Sequence, residues 1–259
     1  MESMKSTAIR AAQKAGFLLL TRLGRVRKVA YKGTVNLVTE MDLLSEKTVV
    51  SHIRRKFPDH SILAEEKDTR QGNSPYRWII DPLDGTTNYA HGYPVFCVSI
   101  ALEKAGEIVL GVVFDPSRDE IFTAEKGRGA RLNGQKIQVS STRQLSRSLL
   151  ATGFPYDLRE SRANNFDHFK NFALRVHAVR RAGAAALDLC YVAAGRFDGF
   201  WEMKLGPWDW AAAGLIVKEA GGKITDFRGR ELCLDGKYVL ASNGRIHQEM
   251  MKILEKGRK

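Results

Sequence analysis

Carboxylates dominate the stretches of this chain that could do chemistry. In Trp78-Ile79-Ile80-Asp81-Pro82-Leu83-Asp84-Gly85-Thr86-Thr87-Asn88-Tyr89, an apolar run delivers Asp81 at its end, Pro82 fixes the backbone, and Asp84 follows three residues later. Gly85 permits close approach of the backbone to a ligand, and the amides of Gly85, Thr86 and Thr87 would point outward together at a helix N-terminus, where the dipole favours a phosphate. Taken alone, Asp84-Gly85-Thr86 is a turn followed by a capping Thr, as Asp198-Gly199 and Asp235-Gly236 are read. Its company changes that reading. Glu65-Glu66 ends the preceding apolar run, and Asp209 opens a helix after Pro207-Trp208, so Glu65, Asp81, Asp84 and Asp209 put four negative charges at element ends.

Clustered carboxylates without a counter-ion repel and raise one another's pKa, whereas hard divalent cations with oxygen ligands neutralise them. Mg²⁺ is the natural candidate, because it accepts a few carboxylates, keeps waters and takes remaining ligands from a substrate phosphate. Two such ions ~3.5–4 Å apart would activate a water and stabilise a leaving oxygen, which is phosphoester hydrolysis. No Ser, Cys or His is placed as a nucleophile with a companion base, so water attacks directly. His91 follows the phosphate loop closely, but metal-assisted hydrolysis needs no histidine base. Trp201, Trp208, Trp210 and Cys97 are read as packing residues.

The elements that must position these groups follow from hydrophobic period. Ile9, Ala12, Gly16, Leu19 and Leu23 mark an amphipathic first helix; Thr39-x-x-Asp42 resembles a capping box opening a second, through Leu43, Val50, Ile53 and Phe57. Short apolar runs at Ser61–Ala64 and Arg77–Ile80 read as buried strands. Val95–Leu102, Ile108–Phe114, Ile121–Ala124, Ala130–Leu132 and, past an Asn133-Gly134 turn, Ile137–Val139 continue a largely antiparallel sheet. Beyond it, strands at Leu149–Thr152, Ala178–Arg180 and Phe197–Trp201 alternate with helices at 165–174, 184–194 and 208–220, and a last helix surrounds Ile246–Leu254. With no repeat, low-complexity segment or linker, residues 1–259 read as a single unit with approximate halves 1–142 and 143–259.

The composition narrows the class. At 259 residues, 44% hydrophobic and 27% charged, the chain is globular rather than fibrous or disordered. Its Phe17-Leu18-Leu19-Leu20 run is shorter than the ~7–15 apolar residues of an export signal, and no stretch reaches the ~20 of a membrane span. Cys97, Cys190 and Cys233 lie far apart without a CxxC pair, which fits a reducing compartment, and a cytoplasmic location is expected.

At this point the residues carry a resemblance. Asp81-Pro82-Leu83-Asp84-Gly85-Thr86-Thr87-Asn88, preceded by Glu65-Glu66, and Trp208-Asp209-Trp210-Ala211-Ala212-Ala213-Gly214 running into Glu219-Ala220-Gly221-Gly222, resemble the two signatures of the inositol monophosphatase family, across essentially the whole chain. The resemblance implies a mixed α and β fold, a layered α-β-α-β-α sandwich of the sugar phosphatase type, a homodimer, and two or three Mg²⁺ ions with lithium sensitivity. It implies that Glu65, Asp81 and the Leu83 carbonyl hold the first metal, that Asp81, Asp84 and Asp209 hold the second, and that Glu65, with Glu66 nearby, helps a weaker third. Thr86 would orient the water with Asp42 as its partner, making Thr86, Asp42, Glu65 and Asp84 the catalytic set; the Gly85 and Thr86 amides would hold phosphate. Around the substrate it implies the same metal-site positions together with Glu202 on ring hydroxyls and the backbone of Gly183-Ala184-Ala185. Arg180 falls at a matching position, with a structural ion pair as its alternative, and Lys32 lies on the loop that in relatives folds over the metals. Tyr89 and Trp210 depart from the family pattern without touching a ligand.

The expected reaction is hydrolysis of inositol 1-phosphate or similar polyol and sugar phosphates. Fructose 1,6-bisphosphate, histidinol phosphate and 3′-phosphoadenosine phosphates are the alternatives, and Glu202 disfavours a substrate with a second phosphate there. A reading of another class starts from charge: 41 Lys and Arg against 29 Asp and Glu give a net +12, which suits a nucleic-acid or ribonucleoprotein partner. Basic residues cluster at 22–32, 54–56, 143–147 and 175–181, but no recognition helix, RNP signature or interleaved aromatic array accompanies them.

Overall fold

The computed structural model describes residues 3–25, 29–32, 36–67 and 69–256, with 29–32, 36–38 and 256 described through their backbone alone. Helices α1 (Met4–Arg22) and α2 (Glu40–Lys56) pack together across one face of a seven-stranded sheet. Between them β1 (Val29–Lys32) and β2 (Asn36–Thr39) form an antiparallel pair, so Lys32 closes a strand; its side chain and Gly33-Thr34-Val35 lie outside the described residues. The large sheet runs in chain order: β3 (Ser61–Ala64), β4 (Tyr76–Asp84), β5 (Cys97–Lys104), β6 (Glu107–Asp115), β7 (Glu120–Glu125), β8 (Ala130–Leu132) and β9 (Gln135–Lys136). Only the β3–β4 pairing is parallel. The short helix α3 (Thr86–Ala90) follows β4 directly.

A five-stranded sheet has the order β11-β10-β12-β14-β13, built from β10 (Leu149–Thr152), β11 (Ala178–Arg180), β12 (Gly199–Met203), β13 (Lys223–Thr225) and β14 (Tyr238–Ser242). Helices α5 (Ala185–Ala193) and α6 (Pro207–Glu219) are sandwiched between the two sheets. Helices α4 (Phe166–Ala173) and α7 (His247–Lys256) cover the outer face, completing the α-β-α-β-α layering. The middle layer explains its own composition: α5 and α6 bury residues on both sides, and are accordingly rich in Ala, Leu, Ile and Val all round rather than amphipathic.

Several boundaries differ from the sequence reading for physical reasons. Ile137–Val139 is not a full strand: β9 ends at Lys136, the Ile137 amide makes one last bond in register to the Ala130 carbonyl of β8, and the Val139 amide then donates to the Ala220 carbonyl, tying the chain to the end of α6. Leu43 is exposed, because the buried stripe of α2 runs through Met41, Ser45, Val49 and Ile53. β4 does not stop at Ile80 but continues to Asp84 with an irregularity: Asp81 pairs with Ser99 and Asp84 with Cys97, three residues of β4 spanning two of β5. In a regular strand, positions three apart face opposite sides. The extra residue, at a point where Pro82 has no N–H to give a ladder, returns Asp84 to the side of Asp81.

Candidate active site

Asp81, Asp84, Glu65 and Asp209 line one cavity of about 230 Å³, together with Leu83, Gly85, Thr86 and Glu202. Three stretches of chain deliver the carboxylates, and the local bonding shows how each is held. The carboxylate of buried Glu46 on α2 accepts the Glu66 and Lys67 amides at 2.9 and 3.0 Å, fixing the turn that carries Glu65. Asp81 folds back to accept the Leu83 amide at 2.9 Å, and the Ser45 hydroxyl donates to the Pro82 carbonyl at 2.6 Å. Asp84 accepts the Ala185 and Ala186 amides at 3.2 and 2.8 Å, so the first turn of α5 is bonded to the end of β4. Asp209, third residue of α6 behind Pro207, accepts the Gly206 amide at 2.6 Å and supplies negative charge at a helix N-terminus.

Burial and mutual repulsion act on these acids as the sequence predicts. Asp81 is held well above the usual carboxylate range by burial first, then by Glu65, Asp84 and Asp209. Burial pushes Asp84 up to about 7 against the opposing pull of its amide bonds, and burial with the charge of Asp84 takes Asp209 to about 7 as well. The donor set is all oxygen, anionic and destabilised in its charged form, which fits a hard divalent cation. Among the described residues no three acidic, His or Cys side chains already close on one point.

Beside the acids, the Thr86 hydroxyl lies 2.9 Å from Asp42 Oδ1 and 3.0 Å from the Leu83 carbonyl. Asp42 is the capping-box residue of α2: its Oδ2 accepts the Thr39 amide at 2.7 Å and the Thr39 hydroxyl at 2.6 Å. Burial raises the Asp42 pKa in spite of these bonds. Gly85 has φ +94, and a Cβ there would stand 2.8 Å from the Val95 carbonyl, so glycine is required both by the backbone angle and by the close approach of the segment that leads into β5. The Asn88 amide donates to the carbonyls of Val95 and Ala182, both at 2.8 Å, bracing the loop before α5 against α3.

The sequence-predicted substrate positions divide. Gly183, Ala185 and Glu202 line the cavity; Ala184 is buried behind it, and Glu66 lies outside it. Arg180 is exposed on β11, donates to the Val179 carbonyl, and is not among the residues that line this cavity, where Arg181 stands. Leaving the strand by one residue changes which side chain turns inward. The sequence reading also passed over Tyr156, Asp188 and Lys204, and took Trp208 for packing alone; all four line the cavity. A signal for Asp188 was present, as the one carboxylate inside the otherwise apolar α5. Lys204 adopts φ +65 and binds Asp157 and Ser161 at 2.6 and 2.9 Å, latching the 153–162 segment beside the site. A larger groove of about 690 Å³ lies against α6 on another side, but its acids are engaged: Glu107 by Lys126, Glu231 by Lys218, Glu103 by Arg77, and Glu219 by the Gly127 and Gly129 amides. Size and chemistry separate here.

A layered α/β sandwich with an acidic cavity where its two sheets' loops meet is the architecture of the sugar-phosphatase class. The sequence profile of the inositol monophosphatase family matches residues 1–259, and the chain belongs to that family. An inositol-1-monophosphatase of Synechocystis is 44% identical over 98% of this chain and 89% of its own. A Nus factor SuhB of Pseudomonas aeruginosa is 42% identical over 98% and 97%. Among solved structures, an inositol monophosphatase from Anabaena (Nostoc) matches with a TM-score of 0.89 and 45% identity, covering 97% of this chain and 95% of that one.

Proposed function

We propose that this chain is a Mg²⁺-dependent phosphomonoesterase acting on inositol 1-phosphate and related polyol phosphates. The observation that carries the reading is the convergence of Glu65, Asp81, Asp84 and Asp209 on one cavity beside the Thr86–Asp42 pair. Asp81, Asp84, Glu65, Asp209 and the Leu83 carbonyl would hold the metal. When bound, Mg²⁺ would neutralise these acids and stabilise charge developing on the phosphoryl oxygens. The protein's own groups do the rest. With its proton donated to Asp42, the Thr86 oxygen is an acceptor that orients an attacking water, and Asp42, whose burial makes it a stronger base than an exposed carboxylate, draws that proton network inward. The Gly85 and Thr86 amides offer donors to the phosphate, and Glu202 accepts from hydroxyls of the leaving alcohol. A homodimer and lithium sensitivity follow from family membership as part of the proposal.

Phosphate release from inositol 1-phosphate, fructose 1,6-bisphosphate, histidinol phosphate and 3′-phosphoadenosine 5′-phosphate tests it, with Mg²⁺, with EDTA and with added Li⁺. Selective Mg²⁺-dependent release from inositol phosphate supports the reading; preference for another ester moves the substrate and keeps the chemistry; no release from any refutes it.

A second reading has its own support in the net +12 charge and in relatives named Nus factors. It predicts binding to nucleic acid that falls steeply with salt through counterion release. Absence of binding to single-stranded or duplex nucleic acid at low salt removes it. Among the described residues no helix is long and apolar enough to cross a membrane.

A further inference from the structure

Asp188 is a charge that neither the fold nor the hydrolytic machinery accounts for. It stands one turn inside α5, is 1% exposed, and its Oδ1 is sealed without a hydrogen-bond partner among the described residues. A buried carboxyl oxygen left unbonded has lost its water without gaining a partner, so a side chain of this kind in an apolar helix calls for a ligand. It lines the same cavity as Asp84 and Glu202. Residues Ala185 and Ala186, at the start of its own helix, bind Asp84, while Asp188 itself stands further along α5.

We infer that Asp188 and Glu202 form a paired carboxyl grip on the leaving alcohol, with Asp188 a specificity-determining residue for leaving groups that carry further hydroxyls. The inference rests on the phosphatase reading above and deepens it. Glu202 on β12 is packed so closely over Gly153 of the neighbouring strand's end that a Cβ at Gly153 would overlap its carboxylate, which fixes the direction from which Glu202 enters the cavity. Electrostatics agree with the pairing: Glu202 is raised well above its ordinary range by desolvation and then by Asp188, and Asp188 by burial and then Asp84, while Arg181 opposes both shifts. Arg181 and Lys204 line the same cavity, and the two carboxyls present oxygen acceptors in either protonation state. Such a wall offers acceptors to the hydroxyl donors of a polyol. An alcohol that lacks further hydroxyls gains nothing from it.

The test compares wild type with Asp188→Asn, an isosteric change that keeps one acceptor and removes the buried charge. Both proteins hydrolyse inositol 1-phosphate and ethyl phosphate, whose leaving alcohols differ in having or lacking further hydroxyls, and the readout is the ratio of the two kcat/KM values. The ratio is expected to fall about tenfold or more in the variant, chiefly through KM for the polyol ester. Thermal melting checks the fold, and Asp188→Ser carries the same comparison if the isostere proves unstable. An unchanged ratio, or equal losses on both esters, overturns the role of Asp188 while leaving the phosphatase reading intact. Wild type that hydrolyses neither ester overturns the phosphatase reading and this inference with it.

Discussion

Asp84→Asn separates two demands that the wild-type carboxylate meets at once. Its oxygens accept two amides at the start of α5, yet burial pushes its titration from 3.8 to about 7. A carboxyl that binds its proton more tightly when folded stabilises the fold below the unfolded value, and that stabilisation is lost as pH rises through about 7. About three units at roughly 1.4 kcal/mol each put the loss at roughly 4 kcal/mol at most between about pH 4 and pH 8 in metal-free protein. Asn does not titrate, but its amide nitrogen cannot accept, so one of the Ala185 and Ala186 N–H groups faces a donor, at a cost of about 1–3 kcal/mol. The difference leaves the metal-free variant more stable than wild type by about 1–3 kcal/mol at about pH 8, or a few degrees in Tm, with the advantage gone near pH 5. Thermal melts in EDTA at both pH values, repeated with Mg²⁺, read this directly. Mg²⁺ is expected to raise the wild-type Tm more than the variant's, and phosphate release by the variant to fall to a small fraction of wild type. Parallel pH slopes for the two proteins, or equal Mg²⁺ shifts, would refute the reasoning.

Thr86→Val removes the hydroxyl between Asp42 and the Leu83 carbonyl and should lower kcat by about 10²–10⁴ with little change in KM, while Thr86→Ser recovers much of the rate; steady-state kinetics on both variants decide. Gly85→Ala forces a side chain to φ +94 and to within 2.8 Å of the Val95 carbonyl, so both Tm and activity should drop, and a wild-type melting curve would count against the required geometry. Gly153→Ala displaces the Glu202 carboxylate, and KM for polyol phosphates should rise more than kcat falls; an unaltered KM would mean that Glu202 does not touch substrate. Arg181→Ala should change KM where Arg180→Ala does not, because only the first lines the cavity.

Much of the site could be read from the chain because its key residues are neighbours in sequence. Asp81, Leu83, Asp84, Gly85 and Thr86 lie within six consecutive positions, so local geometry alone brings them to one place, and the capping spacing of Thr39 and Asp42 is likewise a matter of one helical turn. The strand runs at Ser61–Ala64 and Leu149–Thr152 were legible for the same reason: period and composition are properties of short segments.

What the chain could not declare depends on register and on partners far away in sequence. Whether Arg180 or Arg181 enters the cavity is a shift of one residue at the end of β11, which inverts the face a side chain takes and leaves composition unchanged. Ile137–Val139 has the pattern of a strand, but only the Ile137 amide continues the β8–β9 register, to Ala130, while the Val139 amide turns to Ala220 at the end of α6. Asp188 is a lone acid in an apolar helix until α5 is seated between two sheets, where it lines the same cavity as Glu202 and one of its oxygens is left without a partner among the described residues. The sequence by itself determined the kinds of groups and, through the motifs that resemble the inositol monophosphatase family, the expectation of a layered fold. Tertiary packing decided which charges are buried together, because desolvation and repulsion act through space on residues that the chain holds up to 144 positions apart, as from Glu65 to Asp209.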